Sequence, residues 1–240
     1  MKRLWWAIAA LLSSQAHAAI VLSGTRVVYP EQSKVVNVRL TNEAKSPALV
    51  QAWIDMGAPD ARPEELSVPF MILPPVFRLD AGKSQTMRLV YTKQPLPQDR
   101  ESVYWLNVLD IPPKVQDTGE SQQLLQIAYR TRIKLFFRPT GLKGSPQDAP
   151  AQIKWQLVKT EDGYRLRANN PTPFAVSYAA LAVETPHGKV EAEQGMVQAF
   201  SSADFALKGT HFAEMPSPAK VDYSAINDYG AVAAGESLAQ

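Results

Sequence analysis

The chain of 240 residues contains no cysteine and three histidines. Without thiols it forms no disulfide and carries no thiolate nucleophile, so its stability must come from core burial. His17 falls in the leader described below. That leaves His187 and His211, each in turn-like or polar surroundings and read as surface turn residues. A zinc site would need more His or Cys, or carboxylates at ligand spacing, and the sequence shows neither. It also lacks a G-x-S-x-G elbow, a P-loop and a G-x-G-x-x-G turn. Past the first dozen residues, no run approaches the roughly 18 uninterrupted apolar residues of a spanning helix. These gaps argue against an enzyme, a metalloprotein and a nucleotide-binding protein, and no cofactor is expected.

The N-terminus reads as a secretory leader over residues 1–18. Lys2 and Arg3 precede an apolar run at 4–12, and Ala16-His17-Ala18 supplies a small-residue cleavage site. Export with a mature start at Ala19 is the expectation. Removing Lys2 and Arg3 from 25 basic residues leaves 23, against 23 acidic ones. A formally neutral mature protein gives no electrostatic reason to expect a nucleic-acid partner.

What the chain has in quantity is proline, 19 residues, spaced between short β-branched runs. That combination points to an all-β protein with many turns. Seven strand-like runs fill the first half, at 20–28, 34–41, 48–54, 70–73, 85–91, 102–109 and 124–137. Turns every 8–12 residues suggest an immunoglobulin-like sandwich. A break at Arg138-Pro139-Thr140-Gly141 opens a second unit, with runs at 153–159, 164–168, 174–183, 189–192, 196–207 and 220–226. The expected organisation is a leader at 1–18, one domain at 19–140 and a second β-sandwich at 141–240. Trp53, Trp105 and Trp155 fall within strand runs and are read as core.

The run at 124–138, LLQIAYRTRIKLFFR, is long and alternates. Leu125, Ile127, Tyr129, Ile133, Leu135 and Phe137 share one face, with Gln126, Arg130, Arg132, Lys134 and Arg138 on the other. Alternation alone describes a half-buried core strand. A strand lent to another protein by edge pairing would look the same.

Several segments together resemble the periplasmic pilus-assembly chaperones of the PapD type. They are VYWLNVLDIPP at 103–113, the run at 124–139, PPVFRL at 74–79, LPQDRES at 96–102, NNPTPF at 169–174 and INDYG at 226–230. The resemblance spans nearly the whole mature chain, in family order. It implies two immunoglobulin-like domains in a boomerang arrangement, and a periplasmic chaperone that works without ATP. Such a chaperone binds, folds and caps pilus subunits by lending its strand to their incomplete sandwiches, then delivers them to an outer-membrane usher. Residue by residue, the resemblance makes Leu125, Ile127 and Tyr129 the donor-strand anchors. It makes Arg26 and Lys134 the pair that receives the subunit's terminal carboxylate, and Glu101, Arg138 and Asp228 a salt bridge between the domains. Self-association of the free protein, to cover its exposed strand, is a further expectation. Lys134 has the opposite parity to the three anchors, so aiming it into the cleft is expected to need twist or a bulge. The end after Gly230, AVAAGESLAQ, is small-sided, and a weak last strand is expected there. The competing reading is a two-domain pilus subunit or adhesin. Such a subunit should carry an apolar donor extension after its leader, whereas residues 20–28 lead into Arg26 and read as a first strand.

Overall fold

Alternation of apolar and polar residues dominates the chain, and seventeen strands form among the described residues. The computed structural model describes residues 20–114, 126–161, 163–186, 188–209 and 218–239. The leader, His187, His211 and Leu125 lie outside them. Among the described residues no helix is long and apolar enough to cross a membrane.

The first unit is a two-sheet sandwich. One sheet orders β1 (Ile20–Leu22), β3 (Val36–Asn42), β7 (Ser84–Tyr91) and β5 (Phe70–Leu73) as β1-β3-β7-β5. The other orders β2 (Arg26–Pro30), β9 (Tyr129–Arg138), β8 (Ser102–Ile111), β4 (Ala48–Asp55) and β6 (Val76–Leu79) as β2-β9-β8-β4-β6. Inward residues of both sheets, including Leu40, Val50, Met87, Leu89, Leu106 and Leu135, are fully buried between them. At one end Tyr29, Phe70, Tyr91, Tyr104 and Phe137 pack ring against ring, with centroids 4.6–6.4 Å apart. The Tyr29 hydroxyl donates to the Ser33 carbonyl and accepts from the Tyr91 amide, so this polar tip is satisfied inside the core.

Two expected runs of this unit come out differently. The stretch 20–28 changes sheets at residues 23–25, so its halves become β1 and β2 in opposite layers. The expected strand at 124–137 begins only at Tyr129. Its antiparallel ladder with β8 stops at Asp110↔Tyr129, because β8 runs into Pro112 and Pro113, which have no amide to continue it.

The second unit places β13 (Gly188–Glu191), β12 (Val176–Thr185), β16 (Ala219–Ile226), β17 (Val232–Ala239), β10 (Lys154–Thr160), β11 (Gly163–Asn169) and β15 (Ser202–Ala206) on one hydrogen-bonded path. β14 (Gly195–Val197) pairs with β12. The path curls over its own core of Trp155, Leu166, Leu181, Val183 and Val221 and is joined through the parallel contact Trp155↔Ala239. The expected run 196–207 splits into β14 and β15 around Phe200, which has a positive φ of 49°.

The expectation of a weak last strand is overturned. All eight residues of β17 pair with β16, from Ala219↔Ala239 to Ile226↔Val232. Its small side chains serve the packing, since a Cβ at Gly235 would collide with the Tyr223 ring. Among the tryptophans read as core, Trp155 is core, whereas Trp53 and Trp105 are half-buried.

Candidate functional site

The site is built on β9, whose two faces do different work. Ile133, Leu135 and Phe137 point into the first unit's core. Lys134, Phe136 and Arg138 occupy the opposite face, towards the second unit. Phe136 is 3% exposed yet lies outside that core, which marks the second face as buried too. In sequence the signal for this was the doublet Phe136-Phe137, which puts an apolar ring on each side of the strand.

β2 pairs with β9 in parallel, with Arg26 directly beside Lys134. Both cations are half-buried. Arg26 Nη1 donates to the Ile226 carbonyl at 3.0 Å, and its guanidinium carbon lies 5.6 Å from the centre of the Phe136 ring. Lys134 Nζ donates to Ser177 Oγ at 2.9 Å. Among the described residues no carboxylate reaches ion-pair distance of either one. Arg26 Nε is buried without a partner and borders a cavity of about 120 Å³ with Phe136, Val176 and Ile226. Burial, and then the neighbouring Arg26 charge, push the Lys134 ammonium down to about 8. Two desolvated cations side by side favour an anion between them. The cleft lies on the strand face opposite the Tyr129 side. Lys134 therefore reaches it with an unbroken register, and neither bulge nor unusual twist is needed.

N-terminal to Lys134, the strand is paired on one edge only among the described residues. Residues 129–133 bond to β8, while β2 begins at the level of Lys134. Tyr129 is 59% exposed, and Ile127, just before the strand, is 49% exposed. An open backbone edge flanked by exposed apolar side chains is the geometry that accepts another strand. Leu125 lies outside the described residues.

Arg138 ends the strand between two carboxylates. Its Nε donates to Glu101 Oε1 at 2.6 Å, and its two Nη atoms grip Asp228 at 2.7 and 2.8 Å. Local turns deliver the partners. In the NNPTPF segment, Asn170 Oδ1 accepts from the Thr172 amide and hydroxyl, folding a turn that offers Pro173 O to the Glu101 amide and Ala175 N–H to Glu101 Oε2. In INDYG, Asn227 Oδ1 accepts from the Tyr229 and Ala231 amides, which fixes the hairpin tip bearing Asp228. Burial pushes the Glu101 carboxyl up against the pull of Arg138 and the Ala175 amide. Burial works against the Arg138 charge, and its two carboxylate partners outweigh this and raise it.

Gly230, with φ +83°, brings this tip against the first unit, and a Cβ there would collide with Thr25 Oγ1. Gly230→Ala is therefore expected to loosen the contact between the units without disturbing either core. The measurement is scattering in solution, where an unchanged radius of gyration would contradict this.

Sequence reasoning missed Ser177 and the role of the Ile226 carbonyl, since these contacts join β12 and β16 to strands far away in the chain. It also missed Asp55, which accepts from Arg132, and Asn107, which donates to Asp55.

Residues 19–143 match the family described as "Pili and flagellar-assembly chaperone, PapD N-terminal domain", and residues 148–237 match "Pili assembly chaperone PapD, C-terminal domain". The probable fimbrial chaperone YadV of Escherichia coli (strain K12) is 45% identical over 225 residues, covering 93% of this chain and 91% of that protein. The chaperone protein FimB/FhaD of Bordetella pertussis is 41% identical over 230 residues, covering 94% and 90%. The YadV crystal structure superposes with a TM-score of 0.79 at 42% identity, covering 92% of this chain and all of that one. The SafB chaperone, solved in complex with the SafA pilin of Salmonella enterica, superposes with a TM-score of 0.74 at 25% identity, covering 94% and 98%.

Proposed function

The chain belongs to the PapD family of pilus-assembly chaperones, and from that premise we propose that Arg26 and Lys134 receive the terminal carboxylate of a pilus subunit while the open edge of β9 completes its sandwich. The chain is a fimbrial chaperone, not an enzyme, and its relatives favour that reading over a structural pilus subunit. The observation that carries the proposal is the pair of half-buried cations, without a carboxylate partner among the described residues, lying in register beside a strand edge. The carboxylate sets the register, and register decides which subunit pockets the alternate side chains enter. Ile127 and Tyr129, with Leu125 ahead of them, are the anchors. Main-chain bonds along residues 129–133 tolerate any subunit sequence, and each fully buried aliphatic anchor adds about 1.5–3 kcal/mol. Glu101, Arg138 and Asp228 set the angle between the domains. The protein acts in the periplasm without nucleotide and hands its subunit to an outer-membrane usher, where another subunit's strand replaces β9.

The test is affinity capture from the periplasm of the native host, with bound proteins identified by mass spectrometry. Recovery of a small pilin-like protein supports the reading; its absence while pili are being made overturns it.

The carboxylate step predicts a pH dependence. Lys134 titrates near 8 when free, and a bound carboxylate raises that value, so the protein takes up a proton on binding above pH 8. Subunit affinity is expected to fall about tenfold between pH 7 and 9. The stability of the free protein changes in the opposite sense. The unfolded lysine titrates near 10.4, so between pH 8 and that value the unfolded state binds more protons and folding gains as pH rises. Lys134→Met should remove both trends, which titration calorimetry and denaturant melts would read.

A further inference from the structure

Among the described residues, 129–133 have a ladder on one side only, and holding a backbone in one extended conformation costs entropy. Tyr129, Arg130 and Thr131 are exposed, so core packing does little to keep this stretch extended. Its arginines reach across the sheet. Arg132 passes over β8, with its guanidinium carbon 4.7 Å from the centre of the Trp105 ring, and binds Asp55 at the end of β4 through Nη2 at 2.6 Å and Nε at 3.1 Å. Asp55 Oδ1 also accepts from the Gly57 amide, and Oδ2 from Asn107 Nδ2 at 2.7 Å. Gly57 is held against the Trp105 ring, where an added Cβ would stand 3.2 Å from it. Arg130 Nη1 donates to the Pro59 carbonyl in the loop after β4.

The Asp55 side chain is 1% exposed. A carboxylate buried this completely is a poor source of stability, and the best-attested use of such pairs is to specify register. A one-residue slip of β9 would carry Arg132 to the core face and break every one of these contacts. Burial opposes the Asp55 charge, and its bonds to Arg132, Asn107 and Gly57 outweigh that and hold the carboxyl below the usual range.

Resting on the chaperone reading above, we propose that Arg132 is a positioning residue for subunit capture. Clamped to Asp55 across three strands, it keeps residues 129–133 extended and in register before a subunit arrives. It touches the outer face of the sheet, away from the Tyr129 side, and acts through β9 alone. Pre-ordering lowers the ordering cost at binding and therefore shows in the association rate.

The experiment compares the parent, Arg132→Met, and Asp55→Asn/Arg132→Met, which leaves no buried carboxylate unpaired. The probe is the pilin that co-purifies with the parent, unfolded in guanidinium and diluted into excess chaperone. The double variant should fold, exchange its amides across residues 129–133 about tenfold faster than the parent, and capture pilin several-fold more slowly with an unchanged dissociation rate. Capture at the parental rate by the folded double variant would overturn the inference. So would slow capture with unchanged exchange, which would mean that Arg132 meets the subunit itself. A parent that captures no pilin defeats the chaperone reading, and this inference with it, before any substitution is made.

Discussion

Arg26→Ala and Lys134→Ala should each weaken subunit capture by about 10- to 150-fold, while the protein stays folded. The range follows from roughly 1.5–3 kcal/mol per charge-assisted hydrogen bond and 1.4 kcal/mol per factor of ten. The two side chains are adjacent in the ladder and would share one carboxylate, so the double variant should lose less than the product of the single losses. The two differ in what they do to the free protein. Lys134 is a desolvated cation whose ammonium, among the described residues, bonds to Ser177 Oγ alone, and removing it relieves a cost. Lys134→Ala should thus keep or raise the melting temperature while weakening capture. Arg26 also bonds to the Ile226 carbonyl and stacks on Phe136, so its removal should lower stability by about 1 kcal/mol. Capture measured with the co-purified pilin, beside thermal melts, decides the matter. Undiminished capture by the double variant would leave the cleft without its assigned role.

Arg138→Leu is the substitution expected to cost the most stability, about 3–5 kcal/mol. Surface ion pairs contribute about 0–1 kcal/mol, and from sequence alone that smaller figure would be the natural expectation. Burial changes the sum: the Glu101 side chain is 1% exposed, and without Arg138 its carboxylate keeps, among the described residues, only the Ala175 amide. Adding Glu101→Gln should recover much of the loss, because a neutral amide still accepts from Ala175 and leaves no buried charge. Asp228→Asn, at the 24% exposed partner, should cost far less. Unfolding in denaturant, followed by fluorescence, gives the three values. A loss below 1 kcal/mol for Arg138→Leu would show that the guanidinium stabilises no more than a solvated surface pair.

Much of the architecture is written in local pattern. Period-two alternation marks most strands, prolines mark their ends, and the resemblance picks out the cleft cations and the interdomain charges. Misreadings occur where neighbours in space overrule the pattern. The run at 20–28 looks continuous, but its ends belong to different sheets. The end after Gly230 looks too small-sided for a firm strand, yet β16 offers a full ladder, and Gly235 makes room for Tyr223. Trp105 looks like core and instead carries Arg132 on the outer face.

The sequence by itself determined the β class, the two-unit division and the alternation of β9, because these depend on residues a few positions apart. Only the tertiary structure decided which face of β9 meets the cleft, that Arg26 lies beside Lys134, and that Glu101 and Asp55 are buried. Each of these depends on side chains dozens to 200 positions apart being brought together, as Ile226 is to Arg26. Parity along one strand reveals that it has two faces. What those faces touch is settled by the sheets and domains packed against them, and so is whether a charge there is solvated or left waiting for a partner.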